Sequence, residues 1–150
     1  MQHLIPFRYR NHWYAVDADY VEQILGAQPW MPVPGAPALF PGVMAWRGRA
    51  MAVLDLAQLP IDLARNEPVT VSDRPPRTLV LQVLGCALGI PADEVREALP
   101  IESLQLLPSR LSRVRFARNE FELLERIAVV IDLPALVESV IGNRKAEGPL

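Results

Sequence analysis

Short apolar runs come in pairs along the chain, each pair broken by one or two residues suited to a turn. Ile5–Arg10 and Trp13–Val16 flank Asn11, a residue that tolerates positive φ, and Leu79–Leu84 and Cys86–Ile90 flank Gly85 in the same way. These runs are rich in Val, Leu, Tyr and Ile, which suits half-buried pleated strands. After each pair an acidic turn, Asp17–Asp19 or Ala92–Glu94, leads into a further run, Val21–Leu25 or Val95–Leu99. Gly42–Trp46 and Arg49–Leu54 predict a hairpin closed tightly at Arg47-Gly48. Asp55 is predicted to cap a short helix through Leu59, and Asp132 to cap Leu133–Ile141. In that last segment Leu133, Leu136, Val137, Val140 and Ile141 share one helical face and should dock on the strands. Residues 29–41 carry five prolines and read as a stiff, extended connection, residues 60–76 as a polar loop, and residues 144–150 as a frayed tail.

The paired runs also repeat. YAVDADYVEQIL from Tyr14 aligns with LGIPADEVREAL from Leu88 at a shift of 74, matching Ala18, Asp19, Val21 and Leu25 with Ala92, Asp93, Val95 and Leu99. RAMAVLDLAQL from Arg49 aligns with RIAVVIDLPAL from Arg126 at a shift of 77, which places Asp55 on Asp132. Two blocks in the same order at nearly the same shift point to an internal duplication, with copies over roughly 5–60 and 78–140. Each copy supplies about five short strands, enough to close a small barrel, and two small barrels sharing a buried seam would solve the thin core of a half-length unit. The expected organisation is one domain over 1–143 followed by a tail over 144–150.

Composition narrows the function classes. The chain has 150 residues, 51% apolar and 21% charged, which excludes general disorder. A net charge of −2 argues against a dedicated nucleic-acid binder or a polybasic membrane anchor. The single cysteine can make no internal disulfide, the N-terminus lacks the apolar segment of a signal peptide, and no apolar stretch is long enough to span a bilayer. A cytoplasmic location is expected. The 15 prolines disfavour long helices.

Candidate chemistry is sparse. His3 and His12 stand near no acidic or cysteine cluster, so no metal site is expected. Cys86 is expected to be a buried, inert thiol. Asp55 and Asp132 are explained as helix caps rather than a hydrolytic pair, and no phosphate loop or nucleophile elbow is present. Arg110, Arg113, Arg115 and Arg118 precede Glu120, Glu122 and Glu125, a pattern expected of a solvated face. A ligand-binding or hydrolytic barrel would need convergent titratable groups, which this pattern does not supply. No catalytic residue and no cofactor are therefore expected. Trp30, Met31, Val33, Phe40, Met44 and Trp46 form the strongest apolar candidate patch, about half of it expected to fill the first barrel.

The ordered set VEQI from Val21, PVPGAP, GVMAWRG from Gly42, AVLDL from Ala52, RTLVLQVLG, GIPADEV and RIAVVIDLPALV resembles the CheW-like family of bacterial chemosensory scaffolds, from about Phe7 to Val140. The resemblance implies a mainly β fold of two intertwined five-stranded SH3-like barrels with a C-terminal helix. It also implies a non-enzymatic adaptor between a methyl-accepting chemoreceptor tip and a CheA-type histidine kinase, recruited to membrane receptor arrays without inserting. Val21, Gln23, Gly42, Val43, Arg47 and Gly48 fall on the family's receptor-binding region. Gln23 stands where the family usually has glutamate. Its amide is expected to bond Arg47 without the charge-assisted part, about 1 kcal/mol, while Glu22 should point to the opposite face of an extended strand. Ala45 and Trp46 replace the usual asparagine and leucine, and ARNEFELLER from Ala117 lacks the usual late-hairpin glycine. These departures leave open a divergent adaptor that binds only one of the two partners, or a polar or motility protein instead.

Overall fold

The computed structural model describes residues 2–58, 75–108 and 116–146, with side chains of the final helix described through Val140. The first half contributes β1 (His3–Tyr9), β2 (His12–Asp17), β3 (Val21–Gly26), β4 (Trp30–Pro32), β5 (Gly42–Trp46) and β6 (Arg49–Val53). The second contributes β7 (Arg77–Val83), β8 (Cys86–Ala92), β9 (Glu94–Val95), β10 (Leu99–Pro100), β11 (Leu107–Pro108), β12 (Ala117–Leu123), β13 (Arg126–Ile131) and α1 (Leu133–Ala146). Among the described residues four two-residue turns close hairpins. Arg47-Gly48, Leu84-Gly85 and Leu124-Glu125 have positive φ at both positions, the backbone that matches strand twist. In the β1–β2 turn the left-handed residue is Arg10, at φ 55°, and not the expected Asn11. The late hairpin closes without glycine because Leu124 and Glu125 take φ of 50° and 65° themselves.

The strands form two mixed sheets. One runs β10-β1-β2-β13-β12-β11 with β9 also on β1, and the other runs β3-β7-β8-β6-β5-β4. The duplication appears in the registers. Val21 pairs with Leu81 and Val95 with Phe7; Leu25 pairs with Thr78 and Leu99 with Leu4. The parallel contacts follow suit, Val53 opposite Gly89 and Val130 opposite Ala15. Each copy's first hairpin therefore lies in the sheet built from the other copy's remaining strands. This exchange is the intertwined arrangement that the resemblance implies, the strands of each copy being completed by those of the other. The chain is intertwined, and neither half completes a sheet alone.

This exchange explains why β1, β2, β7 and β8 are apolar along nearly their whole length. They are buried on both faces, so alternate residues serve different cores. Phe7, Tyr14, Leu79, Leu81, Ile90 and Leu136 belong to a large core drawn from both sheets and α1. Leu4, Trp13, Ala15, Phe121, Ala128 and Val130 fill the first sheet, and Met44, Met51, Val53 and Val80 the second. Side-chain sizes are traded between these two small cores. Gly89 faces Met44 and Met51 where, at the equivalent place, Ala15 lies in one cluster with Phe121 and Ala128.

Both capping aspartates act as expected. Ala57 N donates to Asp55 Oδ1 and Ala135 N to Asp132 Oδ1, each at 3.1 Å. The first cap opens one short 3-10 turn, Leu56–Gln58, with the expected Leu59 outside the described residues. The second opens α1, which buries Leu133, Leu136 and Val137 and runs on to Ala146. Residues 144–146, expected in the tail, are thus helical; residues 147–150 and most of the loop at 60–76 lie outside the described residues. Within the proline-rich connection, Trp30–Pro32 pairs with β5 as a short edge strand. Val95–Leu99 does not form one run but two separate short strands on β1.

Candidate docking site

The second sheet ends in β3 at one edge, and β3 carries a bulge. Val21 is opposite Leu81 while Gln23 is opposite Val80, so two residues of β3 meet one step of β7. The bulge breaks strand alternation at Glu22. Glu22 Oε1 lies 3.1 Å from Arg47 Nη1, while Gln23 Oε1 accepts from Trp46 Nε1 at 3.4 Å. Both expectations for this pair are corrected: Glu22 does not point away from the hairpin, and Gln23 engages the indole rather than Arg47. A guanidinium centre 4.5 Å from the Trp46 ring centroid completes the cluster. Trp46 is itself half-buried and packs on the small core of Met44, Met51, Val53 and Val80, whereas the Arg47 side chain is 63% exposed. Arg49 beside it is exposed as well, so the hairpin end carries two cations against the Glu22 carboxylate.

The remaining expected site residues separate in space. Val21 is half-buried against the large core and Gly48 supplies a turn at φ 73° with open space around it. Gly42 is buried at the start of β5. A Cβ there would overlap the Met31 carbonyl oxygen and come within 2.6 and 2.7 Å of two Trp30 ring carbons, so glycine lets β4 lie close. Gly42 and Val43 also border an open groove of about 790 Å³. Its walls include Val33, Pro34, Phe40, Leu88, Val137 and Val140, supplied by the proline-rich connection, β8 and α1. Among the described residues the groove lining holds no charged side chain.

Of the apolar patch, Met44 is buried and Phe40 and Trp46 are half-buried, while Trp30 and Met31 on β4 and Val33 just after it stay exposed, Met31 at 69%. Cys86 is half-buried and faces the groove, not fully enclosed as expected. Of the arginine cluster only Arg118 falls among the described residues, and it is exposed; Glu120, expected on a solvated face, is 3% exposed on β12. The sequence reading missed the Glu22–Arg47 pair and the helical wall at Val137 and Val140. It also missed Leu84 and Leu124, exposed leucines held at turn tips. Among the described residues no group of three or more His, Cys, Asp or Glu is placed to hold a metal, and no helix is long and apolar enough to cross a membrane.

A family model described as CheW-like domain matches residues 3–140. No match was found among curated proteins. Among solved structures, the scaffolding protein TtCheW from Thermoanaerobacter tengcongensis superposes with a TM-score of 0.67 over 88% of this chain and 89% of that one, at 19% identity. At that identity the likeness speaks to the fold.

Proposed function

The chain belongs to the CheW-like domain family, and on that footing we propose that it is a non-enzymatic chemosensory adaptor, coupling chemoreceptor signalling tips to a CheA-type histidine kinase. The observation that carries this reading is the groove of about 790 Å³ bordered by Gly42 and Val43, whose described lining is uncharged, on the same hairpin that ends in the exposed Arg47. A helical receptor hairpin buries its apolar face in the groove, and the arginine's planar donor fork sets its orientation. The turn tips at Leu84 and Leu124 offer separate apolar contacts, so a kinase domain can dock without displacing the receptor. The adaptor's effect is then geometric: it holds kinase and receptor in one arrangement, and ligand state biases phosphorylation through that arrangement.

Reconstitution tests the reading. Purified adaptor is mixed with receptor-containing membranes and kinase, and co-sedimentation and receptor-controlled kinase activity are measured. Both are expected to depend on the adaptor. Sedimentation with one partner only would identify a single-partner adaptor, and sedimentation with neither would refute the proposal.

A further inference from the structure

We propose that this chain exchanges halves with a second copy of itself, giving a closed dimer in which the first half of each chain folds onto the second half of the other. Among the described residues neither half holds a core of its own. Within residues 2–58, β1–β2 and β4–β5–β6 make no strand pairing with each other, and β3 pairs only with β7 of the second half. Within residues 75–146, β7–β8 and β11–β12–β13 are likewise unpaired with each other, and β9 and β10 join only β1. Each described apolar core mixes the halves. Phe7 and Tyr14 share a cluster with Leu81 and Ile90, Trp13 shares one with Phe121, and Met51 shares one with Val80.

The halves are joined covalently only through residues 59–76, so the rest of what holds them together is non-covalent. A half taken from another copy offers the same registers, among them Val21 opposite Leu81 and Val130 opposite Ala15, and the same burial. The exchange conserves the contacts between halves, and chain connectivity alone selects the same-chain arrangement. A connection of this length holds the two halves of one chain at an effective concentration on the order of 1 mM. Dilute chains therefore close on themselves, and the dimer gains ground as the chain concentration approaches that value. Either arrangement persists once formed, because interchange requires opening both sheets and their cores. Each groove of the dimer is shared between chains. Val43 and Ala52 come from one copy, and Leu88, Val137 and Val140 from the other. The dimer thus presents two complete grooves; their use to hold two partners at once rests on the docking reading above, while the exchange itself does not.

The test mixes equal amounts of two full-length chains, one with an N-terminal affinity tag and the other uniformly ¹⁵N-labelled, both carrying a protease site inserted after Ala64. The mixture is unfolded in urea and refolded at about 10 µM and at about 1 mM, and monomer and dimer are separated by gel filtration. After cleavage the tagged first half is captured without denaturant, and mass spectrometry reads the isotope of the second half it carries. The dimer share is expected to rise at least about tenfold between the two concentrations. In the dimer about half of the tagged halves should carry a labelled second half, whereas the monomer, and chains mixed without unfolding, should carry none. Absence of dimer at the higher concentration, a dimer whose tagged halves carry only their own chain's second half, or halves that separate on cleavage would each overturn the proposal. A soluble chemoreceptor signalling-tip fragment is then titrated into the uncleaved dimer, where one fragment per groove is expected. An exchanged dimer that binds no fragment would overturn the docking reading and leave the exchange standing.

Discussion

Arg47 and Glu22 are 25 residues apart in sequence, yet their side chains meet at 3.1 Å because a bulge in β3 turns Glu22 toward the β5–β6 hairpin. The pair is exposed, so its contribution to folding is at most about 1 kcal/mol. Arg47→Glu is therefore expected to shift the urea midpoint little while removing the orienting cation and placing two carboxylates together. Binding of a receptor-tip fragment, measured by calorimetry, should fall well below that of the intact chain. Loss of soluble protein would show instead that Arg47 is structural.

Glycine 42 and glycine 89 should respond differently to alanine. At Gly42 the obstacle is the Met31 backbone and the Trp30 ring, which cannot retreat without lifting β4, so Gly42→Ala should cost about 1–3 kcal/mol and Gly42→Asp more. At Gly89 the nearest atoms are Met44 Sδ at 2.7 Å and Met51 Cε at 3.0 Å, ends of flexible side chains that can shift. Gly89→Ala is expected to cost under about 1 kcal/mol. Urea unfolding of both variants compares them directly.

Leu84 and Leu124 hold φ of 50° with their side chains largely in solvent, a backbone state that costs an L-residue about 1–2 kcal/mol. Leu124→Gly and Leu84→Asn should therefore raise stability by up to about 1 kcal/mol, since both replacements accept a left-handed turn. If these leucines serve kinase docking, the same variants will be more stable and bind less kinase, which equilibrium unfolding and pull-down resolve together.

Alkaline pH should destabilise the protein through its buried phenols. Burial raises Tyr14 well above the usual value, and burial raises Tyr9 as well despite the opposing Arg10 contact. In the unfolded chain tyrosine loses its proton near 10, whereas the folded chain keeps it, so the folded state binds more protons. The stability is present in full below about pH 10 and declines as pH rises toward the folded-state values, by about 1.4 kcal/mol per pH unit for each fully retained proton. Urea midpoints from pH 9 to 11 should fall, and Tyr14→Phe should flatten the slope.

Because β1–β2 completes the sheet of β12–β13, and β7–β8 that of β3–β6, the halves should not fold separately. Fragments 1–66 and 67–150 expressed together are expected to co-purify as a one-to-one complex by gel filtration. Either fragment giving a cooperative unfolding transition alone would contradict the exchanged topology.

The local devices were legible in the chain itself, because each depends on neighbours in sequence. Alternating and continuous apolar runs marked the strands, Asp55 and Asp132 marked the caps, Arg47-Gly48 marked a turn, and the shifts of 74 and 77 marked the duplication. What only the tertiary structure decided is which copy each strand joins and which side chains meet. Strand pairing between residues 21 and 81, or 7 and 95, is set by burying both faces of four apolar strands at once, an energy shared across the whole chain rather than any segment. The bulge at Glu22 follows from the same packing. A single extra residue in one strand changes which acid reaches Arg47, and nothing in VEQI taken alone distinguishes that register from the regular one.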